Sequence, residues 1–207
     1  MKRVGEPIAR LTLSVGPRDH AIGRTDAPLT LVEYGDYQCP FCAAALPVTE
    51  ALLQALGENL RFAYRHFPLT QAHPHALQAA QAAEAVGAQG RFWEYHRILF
   101  ENQHALEDED LVRYAAMLDL DTRRFIRELR NGVHAAKVRE DFMSGVRSGV
   151  NGTPTFFING MRHDGNYDYQ SLLAALTRTG SLSQPIPGFL ARGAASRSAR
   201  AFPSRSR

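Results

Sequence analysis

The sequence predicts an α/β fold made of a strand–helix–strand unit, an inserted all-helical block, and a closing hairpin with one more helix. Short apolar runs typical of buried strands occur at 28–34, 60–66 and 155–158. The stretch 71–148, between the second and third runs, places apolar residues at helical spacing. Helical patterns also follow the first run, at 40–56, and the hairpin, at 168–178.

The composition is that of an ordinary globular protein, with 207 residues, 44% hydrophobic and 22% charged. These values exclude wholesale disorder, collagen and coiled coil, and the length fits one domain, or one domain with an insertion. Two cysteines cannot build a disulfide scaffold. No apolar run approaches the ~20 residues of a membrane span, so we expect no stable membrane insertion.

The positive charge is concentrated at the C-terminal end. The whole chain carries +3, but residues 181–207 hold five arginines and no acidic residue. Without them, 19 basic and 21 acidic residues leave 1–180 with a net charge of −2. We therefore predict no nucleic-acid binding by the folded part, and a disordered Arg/Ser-rich tail over 181–207.

Residues 1–27 form an N-terminal extension with one strand candidate, Ile8–Val15. Two basic residues follow Met1, as in a signal peptide, but Glu6 and Pro7 interrupt the apolar segment that should come next. We therefore expect a cytoplasmic protein. Cytoplasmic thiols are mostly kept reduced, and a cysteine pair there is more often catalytic, redox-sensing or metal-binding than structural.

Local signals delimit the first three elements. The strand candidate 28–34 is apolar and β-branched. The helix that follows begins at Pro40, ends near Gly57 and contains Pro47, which should bend it. The second strand candidate, 60–66, alternates apolar and polar residues.

The block 71–148 is predicted to form several helices. Asp121 is placed to cap one of them, and the last is expected from about Gly132 to Ser148. After it, Asn159-Gly160 is a two-residue hairpin turn, so the third strand run should pair with 161–164.

Cys39-Pro40-Phe41-Cys42 lies directly after a predicted strand and opens a predicted helix. The N–H groups and partial positive charge of a helix N-terminus stabilise a thiolate at Cys39, lowering its pKa below the ~8.5 of a free thiol. Cys42, one turn further in, is placed to attack a mixed disulfide formed by Cys39. The alternatives are a structural pair or half a zinc site. Because zinc needs four ligands and no second CxxC exists, we predict no metal.

Two further positions fit the same site. Glu33 precedes Cys39 by six residues on an apolar strand, where burial should raise its pKa and allow proton exchange with Cys42. The alternative for Glu33 is a paired or edge-exposed acid. Thr153-Pro154 precedes the last strand run, and a cis bond there would expose the Thr153 backbone to an extended peptide. The alternative is an ordinary turn proline.

With these residues, the chain resembles the thioredoxin superfamily and, within it, the DsbA-like thiol–disulfide oxidoreductases, in particular a subgroup found alone or fused behind Na+/H+ antiporters. The resemblance covers about residues 17–180. Apart from the CxxC motif, the segments that carry it are Arg18-Asp-His20, Leu31-Val-Glu-Tyr-Gly-Asp36, Tyr64-Arg-His-Phe-Pro-Leu69, His73-Pro-His75, Phe92-Trp93 and Gly152-Thr-Pro-Thr-Phe-Phe-Ile-Asn-Gly160.

The resemblance implies a thioredoxin fold, which is a central mixed sheet flanked by helices. The parts it implies are a thioredoxin fold over 28–70 and 149–180 and a helical insertion over 71–148. The family's helix-bending proline falls on Pro47, and its cis-proline falls on Pro154. The implied catalytic residues are Cys39, Cys42 and Glu33, and the implied substrate-binding residues are Pro40, Phe41, Thr153 and Pro154.

One departure concerns the residue before the second cysteine. The best-known DsbA oxidants have histidine there, whose imidazolium stabilises the thiolate and so makes a strong oxidant; this chain has Phe41. We therefore expect a less depressed Cys39 pKa, a more reducing potential, and reduction or exchange of protein or peptide disulfides. No cofactor is needed, because electrons come from a recycling thiol reductant, a partner reductase or the substrate.

Two other functions fit the same residues. One is a redox-responsive docking module that regulates a partner protein, such as a transporter, when Cys39 and Cys42 form a disulfide. The other is a glutathione-dependent small-molecule enzyme of the kappa glutathione transferase type. Those enzymes share the helical insertion but keep a serine-type site, and the intact cysteine pair counts against this function.

Overall fold

The computed structural model describes residues 9–179, so the predicted tail over 181–207 lies outside the described residues. Within that range, the strands are β1 His20–Ile22, β2 Leu29–Gly35, β3 Leu60–His66, β4 Thr155–Ile158 and β5 Met161–His163. The α-helices in the same range are α1 Pro40–Leu56, α2 Ala76–Gly87, α3 Phe92–Glu101, α4 Asp108–Met117, α5 Thr122–Arg130, α6 Ala135–Arg147 and α7 Tyr169–Thr179. A short 3-10 turn, Gly57–Asn59, links α1 to β3.

The strands form one mixed sheet in the order β1–β3–β2–β4–β5. β2 and β3 are parallel, with Glu33 opposite Tyr64, and α1 supplies the crossover that a parallel pair requires. β4 runs antiparallel to β2 and places Phe156 opposite Glu33. β5 returns antiparallel to β4 after the predicted turn, in which Asn159 and Gly160 both have positive φ. The predicted fold class, a mixed sheet flanked by helices and interrupted by a helical insertion, is confirmed.

The predicted strand Ile8–Val15 is wrong over the residues that the structure describes. Only Arg10 forms a bridge, which reaches β5. The carbonyl groups of Leu13 and Ser14 instead accept hydrogen bonds from the buried Arg65 guanidinium, at 2.8 and 3.1 Å. These two carbonyl groups are therefore paired with a side chain rather than with a neighbouring strand. The opposite edge of the sheet, beside β3, is formed by β1, a strand that no pattern in the sequence predicts.

Two apolar cores lie on the two faces of the sheet. The larger core includes Leu52 of α1 and Leu172 of α7 and extends into the inserted helices. The smaller core includes Phe67 and Phe157, with Phe142 of α6 packed against it. The insertion therefore contacts both faces, since α3 packs beside α1 and α6 packs against β3.

α1 begins and ends where the sequence predicts. Pro40 occupies its first turn, where the missing N–H costs no helical bond. Gly57 follows its last residue with a φ of 50°, a conformation that glycine adopts easily. Pro47 lies inside the helix, which continues through it.

α1 also corrects the expectation that no apolar stretch of the chain approaches the length of a membrane span. Among the described residues, Pro40–Asn59 is a stretch of 20 residues that is long and apolar enough to cross a membrane by length and composition. Polar residues such as Thr49 and Glu50 interrupt the apolar run, but the mean hydropathy of the stretch stays high in spite of them. In the fold this helix packs against β3, α3 and α7.

The insertion shows one predicted cap and one shifted boundary. Asp121 caps α5, because its Oδ1 accepts the backbone N–H of Arg124 at 2.9 Å. α6 begins at Ala135 rather than Gly132. Gly132 has a φ of 61°, which ends the preceding turn and cannot continue a right-handed helix.

Candidate active site

Cys39 and Cys42 lie where β2 passes into α1. Cys39 is the N-cap residue of α1, and Cys42 lies within the first turn. Both residues are buried, with 3% and 0% of their surface exposed, and they are not joined by a disulfide. Cys39 Sγ lies 3.4 Å from the carbonyl oxygen of Thr153, so the fold joins segments 114 residues apart at the sulfur.

The surroundings of Cys39 favour its thiolate. The thiol of Cys42 donates a hydrogen bond to Cys39, which is the largest effect on its pKa. The Thr153 side chain and the backbone N–H groups of Cys42 and Phe41 add to it, and together they outweigh burial and lower the pKa of Cys39 to about 5. Cys39 is therefore a thiolate at neutral pH, as a nucleophilic cysteine must be.

Cys42 has the opposite protonation preference. Burial raises the pKa of the Cys42 thiol far above its usual range, and the hydrogen bond to Cys39 and the nearby negative charge of Glu33 raise it further. At neutral pH the pair therefore consists of a Cys39 thiolate and a Cys42 thiol, with the proton on Cys42. At neutral pH this asymmetry makes Cys39 the more nucleophilic sulfur, and Cys42 could react only after a base removed its proton.

Glu33 is a candidate for that base. It lies on the central strand β2, is 3% exposed, and its Oε1 has no hydrogen-bond partner among the described residues. Burial, followed by the negative charge of Cys39, raises the pKa of Glu33 to about 8. The shift has the direction that the sequence predicts, and it brings the carboxyl group close to neutral pH, where it can both hold and release a proton.

The predicted substrate-binding residues surround the sulfur atoms. Phe41 is 61% exposed although it is a large apolar side chain, and Pro40 beside it is exposed. Thr153 and Pro154 are half-buried, and the peptide bond between them is cis. The structure therefore gathers all seven predicted site residues around the N-terminus of α1. Their roles in binding stay predictions.

The residues that fix the loop before Cys39 are not indicated by any pattern in the sequence. Asp36 is 1% exposed, and its carboxylate accepts the backbone N–H groups of Gln38 and Leu69 at 2.7 and 2.8 Å. The ring Nδ1 of His73 lies 2.8 Å from the same carboxylate. Asp36 follows a strand, as turn residues commonly do, so its position alone gives no signal of this role.

Gln103 is a second missed residue. It lies in the turn after α3, and its side-chain amide donates hydrogen bonds to the carbonyl oxygens of Tyr37 and Cys39, both at 2.8 Å. An isolated glutamine in a polar turn carries no motif, and only the packing of α3 beside α1 brings it to the site.

One other cluster could hold a metal ion. His66, Glu84 and Asp141 are buried, and their ligand atoms lie within 4.8 Å of one another. His20 Nε2 also lies 3.0 Å from Glu84. The ammonium of Lys137, 2.6 Å from Asp141 and 3.6 Å from Glu84, already supplies positive charge to this cluster. The prediction that the protein needs no metal stays a prediction.

Comparisons with known proteins identify the family of the chain. The thioredoxin family matches residues 16–178. The Na+/H+ antiporter NhaA 1 of Salinispora arenicola is 47% identical over 175 residues, which cover 84% of this chain and 27% of that protein. The antiporter NhaA of Herminiimonas arsenicoxydans is 42% identical over 193 residues, covering 90% of this chain and 31% of that protein. The chain thus spans less than a third of the length of these relatives.

Solved structures give the same fold. BdbD from Bacillus subtilis, in its oxidised form, superposes with a TM-score of 0.72 at 22% identity, covering 84% of this chain and 98% of that one. A thioredoxin-like oxidoreductase from Silicibacter pomeroyi has a TM-score of 0.71 at 27% identity, covering 79% and 92%. The fold is that of a thioredoxin-like oxidoreductase, and the site adds a CxxC cysteine pair at the start of α1. The chain belongs to the thioredoxin family, and the resemblance noted in the sequence is confirmed.

Proposed function

We propose that this protein reduces or exchanges disulfides of protein or peptide substrates through the Cys39–Cys42 dithiol. The observation that carries the proposal is the division of protonation between the two sulfurs, with the Cys39 pKa lowered to about 5 and the Cys42 pKa raised. A nucleophilic thiolate beside a buried thiol is what a two-step exchange requires.

In the first step, the Cys39 thiolate attacks one sulfur of the substrate disulfide. A bond forms between Cys39 Sγ and that sulfur, the substrate S–S bond breaks, and the second substrate sulfur leaves as a thiolate. Exposed Phe41 offers an apolar contact beside the sulfur, and the Thr153–Pro154 segment offers backbone groups to an extended peptide.

In the second step, Cys39 is part of a neutral mixed disulfide, so its charge no longer raises the pKa of Glu33 and Glu33 releases its own proton to solvent. The Glu33 carboxylate then accepts the proton of the Cys42 thiol. The Cys42 thiolate attacks Cys39 Sγ, the Cys39–Cys42 disulfide forms, and the reduced substrate leaves. Two electrons pass from the dithiol to the substrate, and a low-molecular-weight thiol or a partner reductase must return them. A Glu33 pKa of about 8 supports this role, because a carboxylate with an ordinary pKa is a weaker base for a thiol.

The Cys39 pKa also supports the direction proposed from Phe41. A value of about 5 lies between the ~7 of thioredoxin and the ~3.5 of the oxidant DsbA. A more acidic cysteine stabilises the reduced form, so the potential should also lie between ~ −270 and ~ −120 mV. Such a potential suits exchange and reduction better than strong oxidation. The cytoplasmic location stays a prediction.

Turnover tests the proposal directly. The wild-type protein should accelerate reduction of insulin by glutathione, and Cys39→Ser should abolish this activity. Cys42→Ser should instead accumulate a mixed disulfide at Cys39, which mass spectrometry of the intact protein detects. Turnover by both variants at the wild-type rate would show that Cys39 and Cys42 do not form the active site.

Glu33→Gln should slow resolution of the mixed disulfide more than first attack. Equal slowing of both steps would refute the proposed role of Glu33 as the base.

A second candidate is a redox-responsive docking module for a membrane transporter. One observation favours it: the relatives named as Na+/H+ antiporters match this chain over only about a quarter to a third of their length. A docking module would bind one partner with an affinity that changes when Cys39 and Cys42 form a disulfide, and it would show little turnover with insulin. Rapid turnover of insulin argues for the oxidoreductase.

A further inference from the structure

Gln103 connects the inserted helices to the reactive cysteine. The turn that carries it follows α3, and its amide reaches the loop between β2 and α1. We propose that Gln103 is a positioning residue that keeps Cys39 in the place where its thiolate is stabilised. This inference rests on the proposed function of the Cys39–Cys42 pair.

The hydrogen bonds use the full donor capacity of the amide. A glutamine NH2 group has two N–H donors, and Gln103 directs them to the carbonyl oxygens of Tyr37 and Cys39, each at 2.8 Å. The Cys39 carbonyl also accepts the backbone N–H groups of Cys42 and Ala43, at 3.1 and 3.2 Å, which are the first bonds of α1. Gln103 thus holds the same peptide group from which the active-site helix starts.

The turn that presents Gln103 is itself fixed. The Asn102 side chain donates to the Ile98 carbonyl at 2.8 Å, its backbone N–H reaches the Leu99 carbonyl at 3.3 Å, and the N–H of Ala105 returns to Asn102 at 2.9 Å. α3 packs beside α1, so this platform and the active-site helix belong to one packed unit. A side chain held in this way can define where the loop lies.

The position of the loop matters because hydrogen-bond donors around Cys39 lower its pKa. They come from the Cys42 thiol, the Thr153 side chain and the N–H groups at the start of α1. Hydrogen bonds weaken steeply with distance and angle, so a loop free to shift would lose part of this stabilisation. Gln103 bonds to carbonyl oxygens and not to the sulfur, so it acts through the backbone and is not a catalytic residue.

The test compares two variants with a matched control. Gln103→Leu keeps the size of the side chain and removes both donors, whereas Gln103→Glu replaces the donors by a carboxylate. The control is Gln89→Leu, because the Gln89 amide also makes two backbone hydrogen bonds within the insertion, to the N–H and carbonyl of Asp121 at 2.9 and 3.4 Å. The readout is the rate at which iodoacetamide alkylates Cys39 in the reduced protein between pH 4 and 8.

Gln103→Leu should raise the midpoint of this profile by about one pH unit, so that alkylation well below the midpoint slows about tenfold. Gln103→Glu should raise it at least as far, because a negative charge near Cys39 disfavours the thiolate. Gln89→Leu should leave it unchanged. The proposal is overturned if neither Gln103 variant that folds moves the midpoint, or if Gln89→Leu moves it equally.

The same experiment separates this inference from the proposed function. Alkylation needs no substrate disulfide and no turnover, so a shifted midpoint supports the positioning role even if the wild-type protein fails to reduce insulin. Conversely, insulin reduction by the wild-type protein with an unshifted midpoint in both Gln103 variants supports the function and refutes the positioning role.

Discussion

Replacing Glu33 by glutamine should stabilise the protein at neutral pH, by an amount that grows as the pH rises. The carboxyl of an unfolded chain has a pKa near 4.5, whereas burial and the charge of Cys39 raise that of folded Glu33 to about 8. Between these values the unfolded chain loses its proton first, and folding must return it. The stability contributed by the neutral carboxyl is therefore complete below about pH 4.5 and is lost as the pH rises through 8.

The size of the effect follows from the two pKa values. A difference of about 3.5 units corresponds to a limit of about 5 kcal/mol, and at pH 7 to about 3 kcal/mol. Glutamine has the same shape and stays neutral, so it avoids this loss. Urea unfolding of the reduced wild-type and Glu33→Gln proteins at pH 5, 7 and 8 measures the difference.

Comparing wild type with Glu33→Gln cancels the opposite pH dependence of stability that Cys39 contributes. Cys39 has a folded-state pKa lowered to about 5, so its contribution to stability grows with pH over the same range, but both proteins contain it. Glu58→Gln is a suitable control, because the Glu58 side chain is 84% exposed and should give no comparable difference. A stability difference between wild type and Glu33→Gln that stays constant from pH 5 to 8 would refute the assigned burial and pKa of Glu33.

Three further changes should act through charge or packing. In Phe41→His, a protonated imidazole at this largely exposed position should stabilise the Cys39 thiolate by about 1–1.5 kcal/mol. The reduction potential, measured in glutathione buffers, should therefore rise by about 30 mV. An unchanged potential would contradict this prediction. Asp19→Asn should lower the free energy of unfolding, measured in urea, by about 3 kcal/mol. The reason is that the fully buried Arg65 loses the carboxylate that lies 2.7 Å from its Nε. A decrease below about 1 kcal/mol would mean that the ion pair is solvated. Gly145→Ala should lower the melting temperature, because a Cβ there would lie 2.7 Å from the Phe67 ring, and an unchanged value would show that the ring moves freely.

The elements predicted best from the sequence are those whose signals are local. Pro40 and Gly57 delimit α1 at the residues where it begins and ends, and Asn159-Gly160 forms the predicted hairpin turn. β1 is missed because it has three residues and, within residues 9–179, pairs only with β3, about 40 residues further along the chain. Nothing in the residues near β1 specifies that partner.

The same distinction holds at the site. The CxxC motif and Glu33 follow from the strand and helix beside them, and their protonation follows from burial at the end of that strand. The hydrogen bonds of Asp36 and Gln103 depend on how the insertion packs against α1, and a single sequence does not encode that packing in a local pattern. The buried cluster of His66, Glu84 and Asp141 is missed for the same reason, since its members lie on β3, α2 and α6.

The order of the strands has a consequence for synthesis of the chain. β2 is the central strand, yet its neighbour β3 ends at His66 whereas its neighbour β4 begins only at Thr155, about 90 residues later. During that interval the apolar edge of β2 has no partner, and an open strand edge can pair with another chain. Thr153 is also absent then, so Cys39 lacks one of the groups that lower its pKa. The most reactive form of the thiol therefore arises only when the last hairpin closes the sheet, at the moment when the exposed edge disappears.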